Sequence, residues 1–219
     1  MLAQRPCRRP SGLTWRSSGH PKATLLCAAY LYVMRLDFYI RTGAADDAER
    51  LAALGVQVWL HTYATEGISQ DIARYALEEF TAAKMSALLA RDSTVVLVAD
   101  SQYGIIGYAV AKIGAVCESN PRVRVELETL YVQEHFARQS VGSRILGRAE
   151  VLARERTGSA LWLMVNAANF PAIEFYASHG YTKVGTAYFK LGEARYENHV
   201  LIGKDAQPFH QPDVTRQAG

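Results

Sequence analysis

From Val125 to Glu128 apolar and acidic residues alternate, and from Leu130 to Val132 the chain is wholly apolar. That pattern, rich in β-branched and aromatic residues, predicts a strand over Val125–Val132 that ends in the core. A polar loop, residues 133–140, follows. Beyond it Val141, Ile145, Leu146, Ala149 and Leu152 recur at helical spacing, with Gly142 in the opening turn. A strand, a short loop and a helix N-terminus together form an anion site, because the first helical N–H groups lack partners and the helix dipole is positive there. The same stretch also fits an ordinary βα connection.

The pattern extends in both directions. Residues 37–41 predict a first strand, and residues 45–63 a helix through Leu51, Leu54, Val58 and Trp59, with Asp46 and Asp47 near its positive end. Gly67 and Ile68 break the spacing. Ser69 then caps a second helix that runs to about residue 90 through Ile72, Tyr75, Ala76, Phe80, Met85 and Leu88. Residues 94–99 and 105–113 form an antiparallel hairpin. Residues 160–165 are a wholly apolar strand. Residues 170–178 are a short helix with Asn169 as cap and Pro171 in its first turn. Residues 183–190 and 196–202 complete the sheet around a turn at Gly192. Strands alternating with helices predict an α/β fold.

Three segments carry a resemblance. They are Leu130-Tyr131-Val132, the loop Ala137-Arg138-Gln139-Ser140-Val141-Gly142, and the pattern NxxAIxFYxxxGY from Asn169 to Tyr181. Together, at this mutual spacing, they resemble the GNAT superfamily of acyl-CoA-dependent N-acetyltransferases, over residues 38–204. The loop departs from the family's pattern of Arg or Gln, two residues, Gly, one residue, then Gly or Ala. Here those places hold Ala137, Ser140 and Gly142. Glycine there allows close backbone approach to a phosphate; serine is small and its hydroxyl is a potential donor.

The resemblance implies the GNAT-like acyl-CoA N-acyltransferase fold, a mixed central sheet flanked by helices, with acetyl-CoA as co-substrate. Peptide groups of Leu130, Tyr131 and Val132 would pair with the pantetheine arm as an added strand. The N–H groups of Arg138, Gln139, Ser140, Val141, Gly142 and Ser143 would hold the pyrophosphate, with Arg138 or Arg144 as a charged donor. Asn169 joins the cofactor-binding set. Acetyl transfer to an amine needs a deprotonated nitrogen, a stabilised oxyanion and a proton for the departing thiolate. The resemblance gives the last role to Tyr176; a core aromatic is the other reading. Some relatives place a basic glutamate where Met164 stands, and others place it on the central strand, where Glu126 and Glu128 share one face and Glu126 has the better spacing. Two solvated carboxylates, or a water chain in place of a base, also fit. Trp59, Tyr63 and Phe80 read as core residues and, through the resemblance, as substrate contacts.

Several acceptors are open. FTAAK at 80–84 and the segment at 184–204 are similar to the bacterial spermidine/spermine acetyltransferase-like branch, and polyamines would want the acids Glu66, Glu126 and Glu128. Peptide amines and other small amines also fit. Met164, Ala137 and Ser140 support a different class, a non-catalytic acyl-CoA-binding regulatory domain. GxGxxG is absent, which disfavours a dinucleotide fold.

Charge bounds the partners. Of 24 basic residues five lie in residues 1–33 with no acid, so the remainder holds 19 against 21 acids. A mildly acidic body disfavours nucleic acid. The six histidines show no ligand spacing, so no metal is expected. Cys7, Cys27 and Cys117 form neither a metal pattern nor an even set, which suits a reducing cytoplasm. Residues 1–22 have a disordered composition and residues 23–34 are apolar, the outline of a signal peptide. Arg8-Arg9 adds a twin-arginine reading. The apolar run is too short to span a membrane. A natural start at Met34 is the preferred reading, with residues 1–33 a leader or extension, 34–205 the domain and 206–219 a flexible tail. Homodimerisation is left open.

Overall fold

The computed structural model describes residues 36–204. The leader and tail readings, with Cys7 and Cys27, lie outside the described residues.

The described residues open with β1 (Phe38–Thr42), a 3-10 turn (Ala45–Asp47) and α1 (Ala48–Tyr63), followed by α2 (Gln70–Glu79) and α3 (Ala82–Leu89). Then come β2 (Thr94–Ser101), β3 (Gly104–Ile113), β4 (Val125–Val132), a 3-10 turn (Glu134–Phe136) and α4 (Val141–Thr157). The rest is β5 (Leu161–Asn166), α5 (Phe170–Ser178), β6 (Thr182–Leu191) and β7 (Ala194–Ile202).

The predicted helix from Ser69 to about residue 90 is two helices. Ser69 does cap α2, accepting from the Ile72 N–H, but the chain leaves the helical path at Phe80. Thr81 then caps α3 by accepting from the Lys84 N–H. The apolar spacing continues across this break because both helices rest on the same surface, and periodicity alone does not see it.

The seven strands among the described residues form one sheet in the order β1-β2-β3-β4-β5-β7-β6. Only β4 and β5 run parallel; every other neighbouring pair is antiparallel. Alternation along β2 sends Leu97 and Ala99 to one face and Val96 and Val98 to the other. On the first face α4 packs with Val141, Ile145, Leu146, Ala149 and Leu152, the residues its spacing predicted. On the second face Leu51 and Leu54 of α1 and Met85 of α3 cover Val96, Val98, Tyr108 and Val110. The sheet is thus covered on both sides.

A buried ion cluster ties α1 to the sheet edge. Asp47 is fully buried and accepts from the Ala44 N–H at 2.7 Å and from Arg41 at 2.6 and 2.9 Å. Arg50 also reaches it, and Arg41 donates onward to Asp100. The Arg41 hydrogen bonds hold the Asp47 carboxyl below the usual carboxylate range, against the opposing effect of burial. Satisfied on every side, this cluster reads as structural rather than chemical.

Candidate active site

β4 and β5 part almost as soon as they meet. They pair only at Val125–Leu161 and Glu126–Trp162. Beyond those residues the two parallel strands diverge, and the edge of β4 toward β5 has no strand beside it. The Tyr131 carbonyl oxygen faces β3, lying 2.8 Å from where a Cβ on Gly107 would stand. Successive residues of a strand turn their peptide groups to opposite sides. Leu130 and Val132 therefore present theirs to the gap, whereas those of Tyr131 are committed to β3. That corrects the expectation that all three residues pair with an arm laid beside β4.

The loop after β4 ends at the N-terminus of α4. Ser140 is its N-cap in the left-handed conformation, φ 63°, with no side-chain capping bond, and Arg138 is left-handed too, φ 61°. Left-handed residues beside right-handed ones curl successive N–H groups around a point. Ser140 accepts the first helical bond, from Arg144. The N–H groups of Val141, Gly142 and Ser143 fall in the first turn, where no intrahelical acceptor exists. A Cβ built on Gly142 would make only ordinary contact with the Phe175 ring, 3.5 Å away. The gap and this turn fit a pantetheine arm and a pyrophosphate on their own geometry. Arg144 faces elsewhere: its guanidinium lies 4.0 Å over the Phe38 ring and donates to the Phe38 carbonyl oxygen. Gln139 donates to the His135 carbonyl, and Arg138 is exposed.

α5 stands behind this turn. Asn169 caps it, accepting from the Ala172 N–H at 3.2 Å. That bond uses one lone pair of the side-chain oxygen and leaves the amide nitrogen as the side chain's donor. His179 bridges α5 and α4, with Nδ1 2.7 Å from the Phe175 carbonyl oxygen and Nε2 3.0 Å from Ser143 Oγ. A carbonyl only accepts, so Nδ1 carries the proton. Tyr176 is buried between Phe175 and Tyr181, at centroid distances of 5.2 and 5.6 Å. Burial pushes its phenol well above the ordinary range, with a smaller upward push from Tyr63.

On the opposite face of the sheet a cavity of about 860 Å³ lies between α1–α3 and the strands. Trp59, Tyr63 and Phe80 line it, as do Tyr75, Tyr131 and Phe189. Charged groups on its wall are Glu79, Lys84, Arg91, Lys112, Glu126 and Glu128. Glu128 is exposed and paired to Lys112 at 2.5 Å, and Glu79 is paired to Lys84 at 2.8 Å. Glu126 differs. It is only 9% exposed, and no hydrogen bond or ion pair of its carboxylate occurs among the described residues. Burial raises its pKa; Lys112 opposes that shift and Glu128 adds to it. The solvated-face reading therefore holds for Glu128 alone.

Sequence reasoning located Glu126, Trp59, Tyr63 and Phe80 on this wall and missed Tyr75, Lys112, Phe189 and Asn198. Tyr108, Val110 and Lys112 alternate along β3 and were readable as one face. Glu66 lies in the exposed turn between α1 and α2 and is not part of the wall. Met164 is on the wall, so no carboxylate comes from β5 at that place. Tyr176 falls outside the residues lining the cavity.

The sequence pattern of the acetyltransferase (GNAT) family matches residues 51–181. The chain belongs to this family. An uncharacterised N-acetyltransferase of Lactobacillus delbrueckii subsp. lactis is 25% identical over 158 residues, 71% of this chain and 90% of that protein. The streptothricin acetyltransferase of Streptomyces lavendulae is 30% identical over 103 residues, 47% of this chain and 52% of that one. The fold matches a PaiA N-acetyltransferase from Thermoplasma acidophilum in complex with coenzyme A, with TM-score 0.64 at 21% identity, over 77% of this chain and 99% of that one. A probable acetyltransferase from Staphylococcus epidermidis gives TM-score 0.61 at 18% identity, over 76% and 98%. The GNAT chain is an acetyl-CoA-dependent N-acetyltransferase acting on an amine, and the non-catalytic reading is not favoured. Among the described residues no helix is long and apolar enough to cross a membrane. Nor do they hold three or more His, Cys, Asp or Glu grouped as for a metal ion.

Proposed function

We propose that this GNAT enzyme acetylates a primary amine that enters the cavity beneath α1–α3 and meets the thioester where β4 and β5 part. The observation that carries the reading is Glu126: a nine-tenths buried residue on the cavity wall whose carboxylate forms no hydrogen bond or ion pair among the described residues, at the last residue of β4 paired to β5. Bound acetyl-CoA supplies an activated acetyl thioester. Leu130 and Val132 position its arm through their free peptide groups, and the first turn of α4 holds its diphosphate, with Arg138, Gln139 and Ser140 shaping the approach.

Glu126 anchors the ammonium and then accepts its proton, directly or through water. A carboxyl with a raised pKa is a better proton acceptor than an exposed one. Glu128, neutralised by Lys112, stays at the rim. The hydroxyl of Tyr176 donates a proton to the sulfur as the C–S bond breaks, and the phenolate left behind is reprotonated from water; burial raises its pKa, so it is protonated beforehand but is the weaker acid for that shift. The domain is residues 34–205. A reducing, cytoplasmic setting suits the fully buried free thiol of Cys117.

Thiol release from acetyl-CoA with a panel of primary amines tests the reading. Tyr176→Phe is expected to lower kcat by about 10²- to 10⁴-fold, the span of one general acid. Glu126→Gln is expected to lower kcat/KM and flatten its pH profile. Unchanged kcat in Tyr176→Phe, with chemistry rate-limiting, returns that residue to the core.

A further inference from the structure

The cavity wall combines two features that together select an acceptor. The first is a connected set of rings. Trp59 stacks on Tyr75 at 4.2 Å and 26°, and Tyr75 meets Phe189 edge-on at 5.7 Å. Phe80 continues the wall to Tyr131 at 6.1 Å, and Tyr131 to Tyr108 at 5.6 Å. These rings come from α1, α2, β3, β4, β6 and the α2–α3 break, so they surround the space rather than stripe one helix.

The second feature is the charge account. Three acids face three bases on the wall. Glu79 is paired to Lys84 and Glu128 to Lys112, which leaves Glu126 as the one carboxylate of the wall outside an ion pair. Arg91, also on the wall, repels a second positive centre. A triamine would need a row of anionic partners, and this wall does not hold one. A single ammonium needs one carboxylate, and aromatic faces favour both a cation and a flat apolar body beside it.

Resting on the reading of Glu126 as the acceptor's anchor, we propose that the natural acceptor is an aromatic monoamine. Its one ammonium meets Glu126 and its ring packs within the cage of Trp59, Tyr75, Phe80 and Phe189. A cavity of about 860 Å³ has room for a one- or two-ring body. One well-placed ring contact multiplies affinity by roughly 2- to 12-fold beyond area burial.

The test uses the full chain with acetyl-CoA and compares kcat/KM for phenethylamine, n-hexylamine and spermidine. Phenethylamine is expected to exceed each of the others by about 10-fold. Tyr75→Leu is expected to cut the phenethylamine-to-hexylamine ratio to below about 3-fold, since it removes the ring that stacks on Trp59. A ratio taken within one sample does not depend on how much of the variant is folded. Quenching of Trp59 and Trp162, both on the wall, reads amine binding separately from turnover. A preference for spermidine, or equal ratios for phenethylamine and hexylamine, overturns the proposal while acetyl transfer stands. Should no amine turn over, tighter binding of phenethylamine than of hexylamine upholds the acceptor class and equal binding overturns it. Selective turnover of phenethylamine that Glu126→Gln leaves untouched upholds the aromatic cage and removes Glu126 from the proposed mechanism.

Discussion

Ser140 occupies a backbone conformation that glycine would hold at lower cost, and Ser140→Gly measures the difference. Its φ of 63° and ψ of 8° are left-handed, where the Cβ of an L-residue crowds the following carbonyl. The crowding costs about 1–2 kcal/mol. Nothing in the structure offsets it: the side chain is exposed and makes no capping bond. Glycine would relieve the strain but adds about 0.4–1 kcal/mol of unfolded-state entropy. At mid-range values of about 1.5 and 0.7 kcal/mol, the balance is a gain of about 0.8 kcal/mol. For a domain of this size each kcal/mol moves Tm by roughly 2–4 °C, so a rise of about 1–4 °C is expected in a thermal melt. Ser140→Ala keeps the Cβ and loses only the hydroxyl, so its Tm should match the wild type. Repeating the melts with acetyl-CoA then reads the ligand side, because a ligand of the native state raises Tm by mass action. A smaller acetyl-CoA shift in Ser140→Ala than in the wild type would reveal a hydroxyl–phosphate contact. If Ser140→Gly melts no higher than Ser140→Ala, the strain argument is wrong and the left-handed turn is not what the serine costs.

Gly142→Asp should fold, because a Cβ there meets Phe175 at an ordinary 3.5 Å, yet it should lose the acetyl-CoA-induced rise in Tm. An undiminished rise moves the diphosphate away from the first turn of α4. Glu126→Gln should be more stable than the wild type at neutral pH, because burial disfavours the ionised carboxylate in the native state relative to the unfolded chain. The sign follows from a folded pKa raised above the unfolded one: the penalty is absent below the unfolded value of about 4.3 and grows as pH rises through the folded value. Paired melts from acid to neutral pH should therefore diverge upward, and parallel curves would show that Glu126 is well solvated. A chain beginning at Met34 should keep a cooperative melt and its acetyl-CoA shift, on the strength of the charge and composition break there; loss of either would extend the domain into residues 1–33.

Much of the fold was legible because its signals are local. The alternation of 125–132 gave β4 with the observed bounds, and Asn169 with Pro171 marked the start of α5. The misread parts depend on distant contacts. Phe80–Thr81 breaks a helix whose apolar rhythm runs on undisturbed, and only the cap from Thr81 to the Lys84 N–H betrays it. β7 inserts between β5 and β6, an order that sequence adjacency does not express. Val-Glu-Leu-Glu reads as a half-solvated strand, yet Glu126 is buried, because its covering helices arrive from more than 30 residues earlier.

One local irregularity joins these observations into a site. β3 keeps strict alternation, and Lys112, Val110 and Tyr108 all face the cavity. Opposite them on β4 stand Glu126, Thr129 and Tyr131. Glu126 and Tyr131 are five residues apart, and in a regular strand an odd separation sends two side chains to opposite faces. They share the cavity because the ladder slips between Ala111–Leu127 and Val110–Thr129, leaving Glu128 as an extra, unpaired residue. Such a bulge reverses the parity of everything beyond it and sharpens the local twist. Without it Tyr131 would turn toward α4 and leave the aromatic wall, and the peptide groups of Leu130 and Val132 would exchange sides with those of Tyr131. The bulge thus sets at one point the composition of the acceptor wall and the edge of β4 open to a pantetheine arm. It lies two residues past Glu126, where β4 leaves β5, so the buried carboxylate, the ring wall and the open strand edge meet at the place where an amine and a thioester have to meet.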